Sequence, residues 1–228
     1  MIITKEQEDF IKNVYRNVSF YSRKAENAGI DVAQLDLRRE WNKLPLVEKS
    51  EVISESDGML MPECIPLWLS DQLLSVFTSG STGMCLKVYW KYADVLKSLL
   101  PLWIHRKKEY GISPEDRYCY FYATRSVGGH DNGVEVIKNQ MGFSKNNLTE
   151  ERLVEIYRQM CDYAPAWLLL QPSMAMLLVS VKKKYDLPDM ESLRYIEMSG
   201  EMLTEEVRRE AETVFGCQVT NQYGAYEV

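Results

Sequence analysis

Apolar positions recur at helical spacing close to the start of the chain, where Phe10, Ile11, Val14, Tyr15 and Val18 share one face. Thr4, with Gln7 three residues later, forms a capping box ahead of them, so the pattern predicts a first amphipathic helix. From about 27 to 64 the pattern weakens and is punctuated by Pro45, Gly58 and Pro62, which predicts connections and short helices. Phe77 then leads through a run of hydroxyls and glycines into a short extended segment, 88–90. A helical stretch follows over Tyr92–Tyr110, and Pro101 inside it should kink or divide it, because proline lacks the N–H donor and clashes with the preceding turn.

Beyond that point the period alternates. Tyr118–Tyr122 reads as an aromatic strand. Thr149, Glu150 and Glu151 open a helix with Leu153, Ile156, Tyr157 and Met160 on one face. Trp167–Leu170 reads as a buried strand and Pro172 as the first turn of the next helix. Residues 193–198 form a strand, Thr204 caps a helix carrying Val207, Ala211, Val214 and Phe215, Gly216 ends it, and 218–220 form another strand. Strand and helix in alternation predict a layered α/β fold, with a mainly parallel sheet and flanking helices. The chain divides on this reading into a helical N-terminal arm, 1–66, and an α/β region, 67–228. Ligands are expected at the loops that follow the strands.

Composition narrows the function classes. With 46% hydrophobic and 26% charged residues the 228-residue chain has ordinary globular composition and enough length for a large core. A formal charge of −6 disfavours broad binding along a nucleic-acid backbone. The densest basic run, Lys182, Lys183 and Lys184, reads as the solvated side of a helix. Cys64, Cys85, Cys119, Cys161 and Cys217 are odd in number and widely spaced, without metal-finger spacing, which fits a reduced, cytoplasmic compartment. The N-terminus turns acidic at once, so no secretion signal is expected, and the longest apolar patches fall short of the roughly 20 residues of a membrane span.

Three loops could carry chemistry. Thr78-Ser79-Gly80-Ser81-Thr82-Gly83 combines four hydroxyls with two flexible backbone positions, so it can wrap a phosphate with side-chain and backbone donors; it is equally readable as a surface loop rich in serine and glycine. It is not a Walker A loop, since Lys87 stands between Leu86 and Val88 where that motif requires Gly-Lys-Ser/Thr. Ser199-Gly200-Glu201 and Asn221-Gln222-Tyr223-Gly224-Ala225-Tyr226-Glu227 both follow strands. Their glycines allow close approach to a flat base, Tyr223 offers a stacking face, Asn221 and Gln222 offer amides, and Glu227 could hold a hard cation. Glu201 also reads as an ordinary charged residue near a helix start, and Tyr226 as core.

Taken in order, these three segments resemble the adenylate-forming superfamily of acyl-CoA synthetases, luciferases and peptide-synthetase adenylation domains. Leu86-Lys87-Val88-Tyr89-Trp90 and Gln171-Pro172-Ser173 make the likeness greatest to the phenylacetate-CoA ligase branch. The resemblance implies a nucleotide-binding domain that uses ATP and Mg2+ to activate a small carboxylic acid, with coenzyme A or another thiol as acceptor. It implies that Thr78, Ser79, Gly80, Ser81, Thr82 and Gly83 bind phosphate, with Lys87 a loose match to the family's lysine. Ser199, Gly200 and Glu201 would line the adenine and acyl region, Asn221, Gln222, Tyr223 and Gly224 the nucleotide, and Glu227 the magnesium ion. Cys85 stands where the family has proline, and Tyr226 where it commonly has threonine. No ribose-binding aspartate, basic hinge or terminal lysine domain follows within Met1 to Val228, so the expectation is an N-terminal portion of the enzyme. Its partners would then be a C-terminal portion or a second copy of the chain, with no role for nucleic acid or membrane. The alternative is a catalytically incomplete nucleotide-binding or partner-binding remnant. Tyr118, Tyr120, Tyr122 and Trp167 could line a pocket for an aromatic acid, or simply pack as core.

Overall fold

A computed structural model describes residues 3–78, 85–122 and 133–224. Among these residues the packing separates two units, one running up to Ser98 and one from Leu99 to Gly224.

The first unit opens with helix α1, Lys5–Asn17. The capping box is formed: Gln7 N donates to Thr4 Oγ1 at 3.2 Å and Thr4 N donates to Gln7 Oε1 at 2.9 Å. The expected apolar face is only partly used, because Phe10 is 65% exposed. No residue of α1 is buried; the buried Ile3 precedes it, and the buried Val18, whose extended backbone ends α1, starts helix α2, Ser19–Asn27, carrying the buried Phe20 and Ala25. Short helices follow at Leu37–Glu40 (α3), Lys49–Ser54 (α4) and Ile65–Leu69 (α5), as the broken pattern predicts. Lys24 ties α2 to α4 through Glu51 Oε2 at 2.6 Å. An antiparallel hairpin completes the unit's regular structure, with β1, Leu73–Phe77, paired to β2, Lys87–Lys91, so that Phe77 faces Lys87 at its open end.

Helix α6, Tyr92–Tyr110, carries the chain into the second unit. Of the kink or division that the sequence predicts at Pro101, the division is absent: α6 is a single helix. Pro101 and Lys97, whose carbonyl loses its partner there, are both exposed, so the missing bond falls on a solvent-facing side.

Six strands then build one sheet in the order β4-β5-β3-β6-β7-β8. β3 is Tyr118–Tyr122, β4 Val134–Ile137 and β5 Gln140–Ser144; β6 is Trp167–Leu170, β7 Tyr195–Ser199 and β8 Gln218–Gln222. Only β4 runs antiparallel to its neighbour, so the sheet is mainly parallel as expected. Helices α7, Glu150–Tyr163, α8, Pro172–Tyr185, and α9, Glu205–Phe215, alternate with the strands. Thr149 and Thr204 cap α7 and α9 with their hydroxyls, and Gly216 ends α9 at φ +67°.

Side chains alternate across this sheet. Cys119, Phe121, Leu168, Leu170, Ile196, Met198 and Val219 point to one face and join Ile156, Met160, Leu178 and Ala211 of the three helices in the main core. The basic run stitches that layer together. Lys184 binds Glu150 of α7 at 2.5 Å, Lys183 binds Glu210 of α9, and Lys182 binds Asp189 at 2.7 Å.

The opposite face carries Tyr118, Trp167, Tyr195 and Glu197, with Ile112 in a second, smaller core. The end of α6 lies here, and Arg106, buried to 5% exposure, donates Nε to Glu197 Oε2 at 2.8 Å while its Nη2 binds the other carboxylate oxygen. Its guanidinium lies 4.4 Å from the ring centre of Trp103 and 4.7 Å from that of Trp167. Tyr195 donates to Glu197 Oε2 at 2.5 Å and shares a hydrogen bond with Thr220 at 2.8 Å.

Removing one partner of a buried pair leaves the other charge uncompensated. Glu197→Ala should therefore cost about 3–5 kcal/mol of unfolding free energy, while Arg106→Met combined with Glu197→Leu should cost much less. Urea denaturation of both variants decides it: a double variant as unstable as the single would show that packing, and not charge, is what the pair supplies.

Candidate functional site

The parallel strands β6, β7 and β8 all end at one edge of the second unit, and the segments Gln171, Ser199-Gly200-Glu201 and Gln222-Tyr223-Gly224 leave from there. Gly200 takes φ +81°, a left-handed conformation that an L side chain would strain, and a Cβ on it would stand 3.6 Å from Gln171 Cγ. The turn thus passes close over the start of α8. Glu201 turns back to that helix, where its carboxylate accepts from Ser173 N at 2.9 Å and from Ser173 Oγ at 2.8 Å. Helix α8 has proline in its first turn and no side-chain cap from Gln171, so Glu201 supplies the missing acceptor from another loop. Glu201 thus acts at the start of a helix earlier in the chain.

Asn221 and Gln222 belong to β8 and not to the following loop, as the sequence pattern placed them. Asn221 pairs in register with Met198 and Gln222 with Ser199, so their side chains leave opposite faces. Gln222 and Ser199 stand side by side on the Tyr195–Glu197 face, whereas Asn221 lies on the face of Met198 and Val219. Tyr223 follows, 93% exposed, and Gly224 adds no side chain beside it.

In the first unit the hairpin is clasped at its mouth. Thr78 N donates to Leu86 O at 2.9 Å, and Leu86 N donates to Thr78 Oγ1 at 2.9 Å. The Thr78 hydroxyl acts there as an acceptor, which leaves its proton free to donate. Ser79, Gly80, Ser81, Thr82 and Gly83 lie outside the described residues, as do Tyr226 and Glu227. Lys87 is the first residue of β2, and its ammonium lies 4.7 Å from the ring centre of Tyr89 and 3.9 Å from Asp57 Oδ1. The Tyr89 hydroxyl first, and the Asp57 carboxylate after it, hold that ammonium above the ordinary lysine range. Among the described residues no three His, Cys, Asp or Glu side chains gather as a metal site.

The aromatic residues divide by depth. Trp167 is buried and stacks on Tyr118 at 4.4 Å, beside Arg106, as core. Tyr120 and Tyr122 are half-buried, continuing the row at 5.8 and 6.3 Å spacings. Tyr120 donates to Glu135 Oε1 at 2.6 Å, and Gly142 leaves room for its ring, since a Cβ there would come within 2.7 Å. Glu135, Gly142 and Asp57 carried no sequence signal, because each acquires its role only through strand pairing or a contact distant along the chain.

A family model described as AMP-binding enzyme matches residues 21–228. The curated phenylacetate-coenzyme A ligase of Thermus thermophilus is 25% identical over 232 residues, covering 97% of this chain and 50% of that protein. A crystal structure of an open conformation of 2-hydroxyisobutyryl-CoA ligase in complex with 2-HIB-AMP and CoA matches with a TM-score of 0.67 and 18% identity, over 96% of this chain and 48% of that one. The same ligase in the thioesterification state matches with a TM-score of 0.65 and 19% identity, over 94% and 46%. The two structures share the fold described above. The chain spans about half the length of these relatives.

Thiol chemistry offers a test of the site's surroundings. Burial pushes the Cys217 thiol up to about 12 and raises that of Cys119, while Cys85, beside the clasp, is exposed. Only the thiolate alkylates. Iodoacetamide at pH 8 should modify Cys85 and spare Cys119 and Cys217 until denaturant is added, as read by peptide mass spectrometry; labelling of Cys119 in the folded chain would contradict the core as described.

Proposed function

The chain belongs to the AMP-binding enzyme family, and we propose that it forms the nucleotide-handling part of an ATP-dependent acid–thiol ligase of the phenylacetate-CoA ligase kind. The observation that carries this reading is the adjacency of Ser199-Gly200 and Gln222-Tyr223-Gly224 at the carboxyl edge of a parallel sheet, where open α/β folds place ligands. A left-handed glycine turn, a free tyrosine face and a strand-terminal amide suit a flat base: Tyr223 stacks on it, Gly200 and Gly224 admit it, and Gln222 meets its polar edge.

In this reading Thr78 donates its free hydroxyl proton to a phosphate oxygen, with Ser79 to Gly83 supplying further donors and Lys87 a positive charge. A carboxylate oxygen of the substrate attacks the α-phosphorus of ATP, the bond to the bridging oxygen breaks, and pyrophosphate leaves with the electron pair to give an acyl-adenylate. A thiol then attacks the acyl carbon, loses its proton and displaces AMP. The protein's share is positioning and neutralisation of phosphate charge, since a phosphoryl transfer needs little covalent help. Magnesium, for which the resemblance assigns Glu227, would supply charge neutralisation on the phosphates. The 2-HIB-AMP and CoA held by the 2-hydroxyisobutyryl-CoA ligase structures support an acyl-adenylate and a CoA-type acceptor. The half-open row of Tyr120 and Tyr122 supports an aromatic acid, in keeping with the phenylacetate-CoA ligase relative.

Calorimetry of the purified 228-residue chain with Mg-ATP should show binding that weakens when Ser81 and Thr82 are both changed to alanine, and Mg-ATP should slow alkylation of Cys85. Unaltered binding in the double variant would remove those hydroxyls from the phosphate site. For the whole protein, acid-dependent exchange of pyrophosphate into ATP is the expected activity; none across a broad panel of aryl and aliphatic acids would count against the reaction class.

A further inference from the structure

Two side chains of the first unit, Tyr89 and Asp57, approach Lys87, and a third, Trp68, braces the tyrosine. Lys87 and Tyr89 lie on the same face of β2, two residues apart. The Lys87 ammonium sits over the ring of Tyr89, the residue farther from the hairpin mouth, so the lysine is folded back along its own strand and away from the clasp at Thr78 and Leu86. The Tyr89 hydroxyl donates to Asp57 Oδ1 at 2.6 Å, and the Trp68 indole N–H donates to the Tyr89 oxygen at 3.2 Å. Trp68 thereby orients Tyr89, and Tyr89 orients Asp57. The same Asp57 oxygen stands 3.9 Å from Lys87 Nζ, at the outer limit of an ion pair, with the carboxylate half exposed. This is a weak hold on a charge that the long, flexible lysine stem can swing elsewhere.

We propose that Asp57 is a positioning residue: the counter-ion that parks Lys87 beside Tyr89 while the nucleotide is absent and yields it to a phosphate group when the nucleotide binds. The inference rests on the nucleotide reading above and adds a partner for its lysine from the N-terminal arm. A phosphate group carries more negative charge than one carboxylate and accepts from an ammonium in tighter geometry than 3.9 Å, so the exchange is downhill for Lys87. Asp57 then competes with the ligand, and nucleotide binds less tightly than Lys87 alone would allow.

The test is a double-variant cycle of Mg-ATP affinity at low ionic strength. Asp57→Asn should tighten binding about two- to fivefold, the range an exposed ion pair covers. Lys87→Met should weaken it, and adding Asp57→Asn to Lys87→Met should then change nothing. Tightening that persists without Lys87 would reduce the effect to net charge and overturn the proposal, as would equal or weaker binding in both Asp57→Asn and Tyr89→Phe. A ligand-free measurement separates the two levels. After reductive methylation with labelled formaldehyde, the Lys87 resonance, assigned by Lys87→Arg, should titrate at lower pH in Asp57→Asn than in wild type, and an unchanged midpoint overturns the parked pair itself. Absence of Mg-ATP binding in wild type would overturn the nucleotide reading and the competition with it, even where the ligand-free shift is seen.

Discussion

The second unit depends on a charge that cannot reach water. Arg106 and Glu197 are buried together against the sheet, and each is tolerable there only because the other is present. The pair explains why the surrounding residues are aromatic. Trp103 and Trp167 present ring faces to the guanidinium, and Tyr195 gives the carboxylate its third partner. Through Tyr195 the network reaches Thr220, so it fastens α6 to β7 and β7 to β8. Glu197 precedes Ser199 by two positions on the same face, and Thr220 precedes Gln222 likewise. The two segments proposed to meet the base therefore leave from strands whose spacing and register are held from beneath.

Rigidity below is matched by cross-loop capping above. Glu201 serves the start of α8, and in doing so it holds the Gly200 turn over Gln171. A carboxylate at a helix N-terminus satisfies amide donors and the helix dipole together, which would otherwise invite an external anion. Glu201 therefore helps shape the edge at which Ser199, Gln222 and Tyr223 also stand.

Much of this fold was legible in the chain because its signals are local. Thr4, Thr149, Thr204 and Gly216 act as caps within a few residues of themselves, and Tyr118–Tyr122 and Trp167–Leu170 are strands at the expected bounds. The hairpin of β4 and β5 was not read, since its turn at Lys138 and Asn139 lacks glycine and its second strand contains Gly142, which the pattern treats as a breaker. Pro101 does not divide its helix, because the penalty for a helical proline depends on which side of the helix faces solvent. Lys183 and Lys184 are solvated as the pattern predicts, but their partners Glu210 and Glu150 sit on neighbouring helices that only folding brings near. For the site, the ligand edge followed from strand order, but the partners of Glu201, Lys87 and Arg106 lie too far along the chain for spacing to show them.

The clasp between Thr78 and Leu86 bears on how the glycine and hydroxyl segment can change over generations. Closing a loop loses conformational entropy once, at its base, and that loss grows only slowly with loop length. Here the base is joined by two hydrogen bonds of Thr78 and continues directly into the register of β1 and β2. Insertions or exchanges within the intervening chain are thereby uncoupled from strand pairing, and the hairpin can act as a socket in which loop chemistry drifts while the frame stays put. Thr78 fastens such a socket and, on the proposed reading, also donates to the phosphate, so its replacement would alter both the heritable tolerance of the loop and its chemistry in one step.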